Sequence, residues 1–185
     1  MRNLRACDCA FQDFANGFTC GKLDGATVRM LAGMAPARGD KRWCRIFNGL
    51  TGRAGKRNQA RLPHTAALRR LWLRMRPAFL QDYRFRNAHM LQSEPGCARQ
   101  KFHCDFAGGG GLGVLVALQS ATVLLVEMAG EPACLQLNRG DYIIFDGRLP
   151  HAGAAYSVLN VRLHMYCSVD GVRPPANETY IVQRR

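Results

Sequence analysis

The sequence predicts a mainly β fold, a barrel or sandwich of short strands, with helices confined to the N-terminal part. Five strand-length runs rich in Val, Leu, Ile or aromatics follow one another at 114–118, 122–128, 133–137, 142–145 and 160–167. Gly, Asn, Asp or Pro separates most of them, and short strands punctuated by turn residues are the mark of an all-β barrel or sandwich. At 185 residues, 48% of them hydrophobic, the chain fits one domain with a sizeable core. Its parts are a helical and basic-loop segment, 1–86, and a β-rich segment, 87–185.

The N-terminal residues carry no long apolar stretch, so no secretory leader is expected. No run of about 18 apolar residues occurs anywhere, which argues against a membrane-spanning helix and for an intracellular protein. In that compartment the eight cysteines read as free thiols. Cys7, Cys9, Cys20 and Cys44 fit no common zinc-finger spacing.

The net charge of +13 is concentrated in one place. From Arg38 to Arg76 there are twelve Lys/Arg against the single acid Asp40, a local charge of +11. Residues 49–63 show no apolar periodicity and read as a flexible basic loop. Residues 65–82 read as a helix. Thr65 is its expected N-cap, and Leu68, Leu71, Trp72, Met75 and Phe79 share one apolar face. Arg69, Arg70, Arg74 and Arg76 fall largely off that face, and Pro77 should kink the helix or end it early. A basic stretch of this kind suits DNA or RNA, whose phosphates release counterions on binding, and guanidinium suits phosphate. A solvated basic face is the alternative.

Pro95-Gly96 is a turn signal, and it feeds His103-Cys104-Asp105. In an extended strand the side chains at i and i+2 share a face, so His103 and Asp105 converge while Cys104 points away. His151 follows on a later strand. Two histidines and one carboxylate leave half of an octahedral ion's positions open, the arrangement used by non-haem Fe(II) oxygenases. Arg162 begins a strand-like run after His151, and a fixed cation there suits the far carboxylate of a dianionic cosubstrate.

The ordered set Glu94-Pro95-Gly96, Gln100, His103-x-Asp105, Gly140-Asp141-Tyr142, Arg148-x-x-His151-Ala152-Gly153 and Asn160-x-Arg162-x-His164-x-Tyr166 resembles the Fe(II)/2-oxoglutarate-dependent oxygenases. The prolyl-4-hydroxylase and phytanoyl-CoA-hydroxylase branches are the most similar. The resemblance covers 87–169. It implies a double-stranded β-helix, or jelly roll, with His103, Asp105 and His151 as iron ligands and Arg162 paired to the 2-oxoglutarate C5 carboxylate. It further implies Gln100 as a cosubstrate contact. His164 stands where the family often has Ser or Thr, and it takes its place beside Arg162 by strand alternation. Fe(II), 2-oxoglutarate and O2 are the implied cofactor and cosubstrates.

With the basic stretch, this reading favours oxidation or demethylation of a nucleic-acid base. The nucleic-acid demethylases of this class carry a second arginine six residues after the first, where this chain has Ser168. A prolyl-type or small-metabolite hydroxylase is the enzymatic alternative. A basic nucleic-acid-binding sensor of iron or 2-oxoglutarate is the nonenzymatic one. Histidines that merely satisfy hydrogen bonds of a barrel core are the bland reading. The sequence does not specify an oligomeric state.

Overall fold

The structure, a computed structural model, describes residues 2–5, 14, 17–46, 56–174 and 180–181. The N-terminal part contributes β1 (Arg2–Arg5), β2 (Phe18–Lys22), α1 (Gly25–Gly33), β3 (Cys44–Arg45), β4 (Arg57–Arg61) and α2 (Ala66–Met75). A short 3-10 turn, Ala78–Leu80, leads into β5 (Arg84–Ser93). The remaining strands are β6 (His103–Cys104), β7 (Gly111–Ala117), β8 (Thr122–Met128), β9 (Glu131–Leu137), β10 (Asp141–Asp146), β11 (His151–Gly153), β12 (Asn160–Ser168) and β13 (Tyr180–Ile181).

Two sheets face each other. One has the order β1-β9-β8-β11-β6-β13, and the other β2-β10-β7-β12-β5-β4-β3. From β5 to β12 the chain passes back and forth between them, with the β8–β9 hairpin as the one step taken within a sheet. This winding is the double-stranded β-helix, so the jelly-roll expectation holds. Strands β1 to β4, all before residue 87, pair in these same sheets, and β5 begins at Arg84.

Side-chain alternation divides the interior into layers. Leu115, Ala117, Ile143 and Phe145 point inward and meet Leu124, Val126, Ala133 and Leu135 of the opposite sheet. Val114, Val116, Ile144, Leu163 and Met165 point outward and pack under Leu68, Leu71, Trp72 and Met75 of α2. Strand β7 is therefore buried along its whole length. A smaller cluster, with Phe102, Leu125, Ala152 and Tyr156, covers the outer face of the first sheet.

Thr65 caps α2 as expected, its hydroxyl accepting from the Leu68 N–H at 3.3 Å. The helix stops at Met75, two residues before Pro77, short of the expected 82. Phe79 thereby leaves the apolar face and is 53% exposed, edge-on to Phe14. A second correction concerns 49–63. Residues 57–61 are not loop but strand β4, paired antiparallel with β5 through Arg57↔Ser93 to Arg61↔His89. Residues 47–55, including Arg53, lie outside the described residues, as do Cys7 and Cys9. The six described cysteines are free thiols.

Candidate functional site

Short strand β6 lies beside β11 with His103 directly opposite His151, and their rings stand 4.4 Å apart. Asp105, one residue past β6, turns its carboxylate between them. Its oxygens lie 3.9 Å from His103 Nε2 and 3.5 Å from His151 Nε2. Cys104 points away, as alternation requires, and its thiol donates to the Arg148 carbonyl. Among the described residues, His103, Asp105 and His151 form the one cluster of three metal-ligand types, with ligand atoms within 4.8 Å of one another.

The tautomers follow from the partners. His103 Nδ1 lies 2.8 Å from the Lys101 carbonyl, and His151 Nδ1 lies 2.9 Å from the Leu149 carbonyl. A carbonyl can only accept, so each Nδ1 carries the proton and each Nε2 presents a lone pair. The ionised Asp105 is also acceptor-only, and its Oδ2 is buried without a hydrogen-bond partner. Lone pairs thus face lone pairs, too far apart to bond. A divalent cation satisfies all of them at once, and the carbonyl bonds are the supports that orient metal-binding imidazoles. The residues therefore fit the metal that the motif implies.

Electrostatics point the same way. Burial lowers the pKa of His103 and His151 to about 4, with the neighbouring imidazole adding to the effect at His103. Burial raises that of Asp105 to about 6, against the pull of His103 and Tyr166. At neutral pH the imidazoles are neutral and the carboxylate ionised, the forms that bind metal.

Strand β12 supplies the opposite wall. Arg162, His164 and Tyr166 share its inward face. His164 Nε2 lies 3.6 Å from Asp105 Oδ2, and its ring stacks on Phe145 and meets Tyr166 edge-on. Burial, together with the surrounding imidazoles and Arg162, holds His164 neutral. Arg162 is 2% exposed. Its Nη1 donates to Ser93 Oγ at 3.0 Å and Asn160 Oδ1 at 3.3 Å, and its guanidinium lies over the Tyr156 ring. No carboxylate pairs with it among the described residues. Gln100 is tied to β11: its N–H donates to the Gly153 carbonyl and its Oε1 accepts from the Gly153 N–H, both at 2.9 Å.

Arg57, Ser93 and Tyr166 adjoin this site, and sequence reasoning gave none of them a role there. Tyr166 stood in the motif Asn160-x-Arg162-x-His164-x-Tyr166, two residues beyond His164 on one strand face. Arg57 gave no signal, because its strand reads as polar loop.

No protein-family description matches this chain, and no curated protein is significantly similar to it. Solved structures are. A Pseudomonas putida prolyl-4-hydroxylase is 16% identical, with 85% of this chain and 95% of that one covered and a TM-score of 0.67. HygX from Streptomyces hygroscopicus, with nickel and 2-oxoglutarate bound, is 10% identical over 87% and 86%, at 0.66. The epimerase SnoN, in complex with Fe3+, α-ketoglutarate and nogalamycin RO, is 16% identical over 91% and 92%, at 0.67. These likenesses span nearly the whole chain and establish a shared fold.

Proposed function

We propose that the chain is an Fe(II)- and 2-oxoglutarate-dependent oxygenase. The observation that carries this is a His103–Asp105–His151 cluster of facing lone pairs, with a buried Arg162 that has no carboxylate partner among the described residues on the same inward face of β12 as His164, which reaches Asp105. When bound, iron couples oxidation of 2-oxoglutarate by O2, giving succinate and CO2, to hydroxylation of a substrate C–H bond. This chain's residues hold and orient the participants. His103 and His151 offer fixed Nε2 lone pairs, Asp105 supplies charge, and Arg162 takes the C5 carboxylate. His164 lines the wall between the metal ligands and Arg162. Gln100 acts by fixing β11 beside the cosubstrate.

Succinate release over a panel of nucleic acids, peptides and acyl-CoA compounds tests the reading. Asp105→Ala should abolish it while the protein stays folded. Arg162→Ala should weaken 2-oxoglutarate binding about 30-fold or more, since truncating one partner of a buried charged pair costs roughly 2–5 kcal/mol. Full succinate production by Asp105→Ala sinks the assignment.

The proposed substrate is a nucleic-acid base, drawn to the exposed cations Arg38, Lys41, Arg45, Arg61, Arg69 and Arg70. A second reading, a protein or small-molecule hydroxylase, is favoured by the position of α2. It covers the outward face of the second sheet, so its arginines lie across that sheet from the metal ligands.

A further inference from the structure

Arg57 comes from β4, outside the segment whose motifs mark the metal centre, yet its side chain reaches Ser93, the partner of Arg162, and is 0% exposed. Its Nη1 donates to Ser93 Oγ at 2.7 Å, the same oxygen that Arg162 Nη1 reaches at 3.0 Å. Two guanidiniums thus share one neutral hydroxyl. The remaining partners of Arg57 are neutral as well: the Ala154 carbonyl at 2.8 Å, the Ala98 carbonyl at 3.3 Å and the Cys97 sulfur at 3.8 Å. Its Nε is buried with no partner. With both lone pairs of Ser93 Oγ accepting, the hydroxyl proton is left to donate, and no acceptor for it occurs among the described residues. The backbone above is glycine. A Cβ on Gly153 would lie 2.7 Å from Arg57 Nη1. Two buried like charges with no counter-charge are costly, and an anion between them removes that cost.

We propose that Arg57 is a second binding cation of the pocket. With Arg162 and the Ser93 hydroxyl it holds the far carboxylate of a dicarboxylate cosubstrate and sets the preference for a dicarboxylate over a monocarboxylate. This rests on the oxygenase reading above. The rival account is that Arg57 only staples β4 to residues 98 and 154.

Calorimetric titration of the Mn(II)-loaded, oxygen-free protein with 2-oxoglutarate and with 2-oxovalerate, which lacks the far carboxylate, separates the two. Arg57→Gln should reduce the 2-oxoglutarate preference about tenfold or more, as expected for loss of a charge-assisted contact. A staple alone would lower the melting temperature and leave the preference at its wild-type value, which overturns the proposal. Arg57→Lys keeps the charge without the planar fork and should give an intermediate loss. Where the Gln variant does not fold, the Lys variant decides by the same criterion. Glutarate titrated into the metal-free protein probes the pocket independently of the metal. Failure of the wild type to bind Mn(II) counts against the oxygenase reading. Equal glutarate affinity in wild type and variant counts against Arg57.

Discussion

Asp105 and the imidazoles around it pull the pH dependence of stability in opposite directions, and their numbers decide the outcome. His103 and His151 are lowered by burial to about 4, and His164 and His89 are lowered by the same cause. An unfolded chain binds protons on these groups near pH 6.5 that the fold refuses, so stability is lost as pH falls through that window. Asp105, raised to about 6, is protonated in the fold while still ionised in the unfolded chain, which adds stability as pH falls from about 6 towards 4. Four imidazoles outweigh one carboxyl. The metal-free protein should therefore melt at higher temperature at about pH 7 than at about pH 5. A flat or inverted profile in thermal melts contradicts the burial of these histidines. The same argument makes Asp105 a cost in the absence of metal. Asp105→Asn removes a buried charge and places an amide donor among lone pairs. It should leave metal-free stability at pH 7.5 unchanged or raise it by up to about 2–3 kcal/mol, while abolishing tight Mn(II) binding. Marked destabilisation of the metal-free variant would show that the carboxylate serves the fold itself.

At the scale of elements, Gly153 of β11 is a tight joint between the two polar anchors of the site. A Cβ there would lie 2.4 Å from Gln100 Oε1 and 2.7 Å from Arg57 Nη1, and both groups are already anchored. Gly153→Ala should cost about 1–3 kcal/mol by overpacking and weaken 2-oxoglutarate binding as the guanidinium is displaced. An alanine variant with wild-type melting and affinity would show that β11 has room to move. Elements whose side chains alternate or repeat cleanly were legible beforehand. Strands β7 to β10 and β12 read from apolar runs, α2 from its spacing and Thr65 cap, and the convergence of His103 and Asp105 from i, i+2 geometry. What could not be read was set by partners remote in sequence. Strand β4 has Arg57, Asn58 and Gln59 where a pattern needs apolar residues, and it is a strand because β5 pairs with it. Its buried Arg57 is matched by Ser93 and Ala154, which no local rule connects to it. Helix α2 ends at Met75, the early stop that Pro77 signalled, and only the placement of Phe79 on its apolar face failed.

At the scale of the whole molecule, the +13 charge divides into parts with different work. Arg57 and Arg162 are buried and share the Ser93 hydroxyl, and they are the two cations proposed for an anionic cosubstrate. Arg69, Arg70 and Arg74 of α2 are exposed on the outer layer, Arg74 paired with Asp24 at 3.0 Å. Arg45 and Arg61 are exposed on the paired strands β3 and β4, Arg45 opposite Asn58 and Arg61 opposite His89 of β5. If a nucleic acid is the substrate, phosphate contacts close to the pocket matter more for turnover than those on α2. Affinity for duplex DNA or single-stranded RNA should fall with salt at a slope of about −0.9 or −0.7 per phosphate contacted. Neutralising Arg45, Lys56 and Arg61 together should flatten that slope and lower turnover. Neutralising Arg69 and Arg70 should flatten the slope and spare turnover. Neither change should alter 2-oxoglutarate affinity, because neither touches Arg57, Ser93 or Arg162. Absence of salt-dependent binding to either nucleic acid near physiological ionic strength would remove the nucleic-acid reading. A peptide or small-molecule substrate would then lead, with the metal ligands and the two buried arginines keeping their assigned roles.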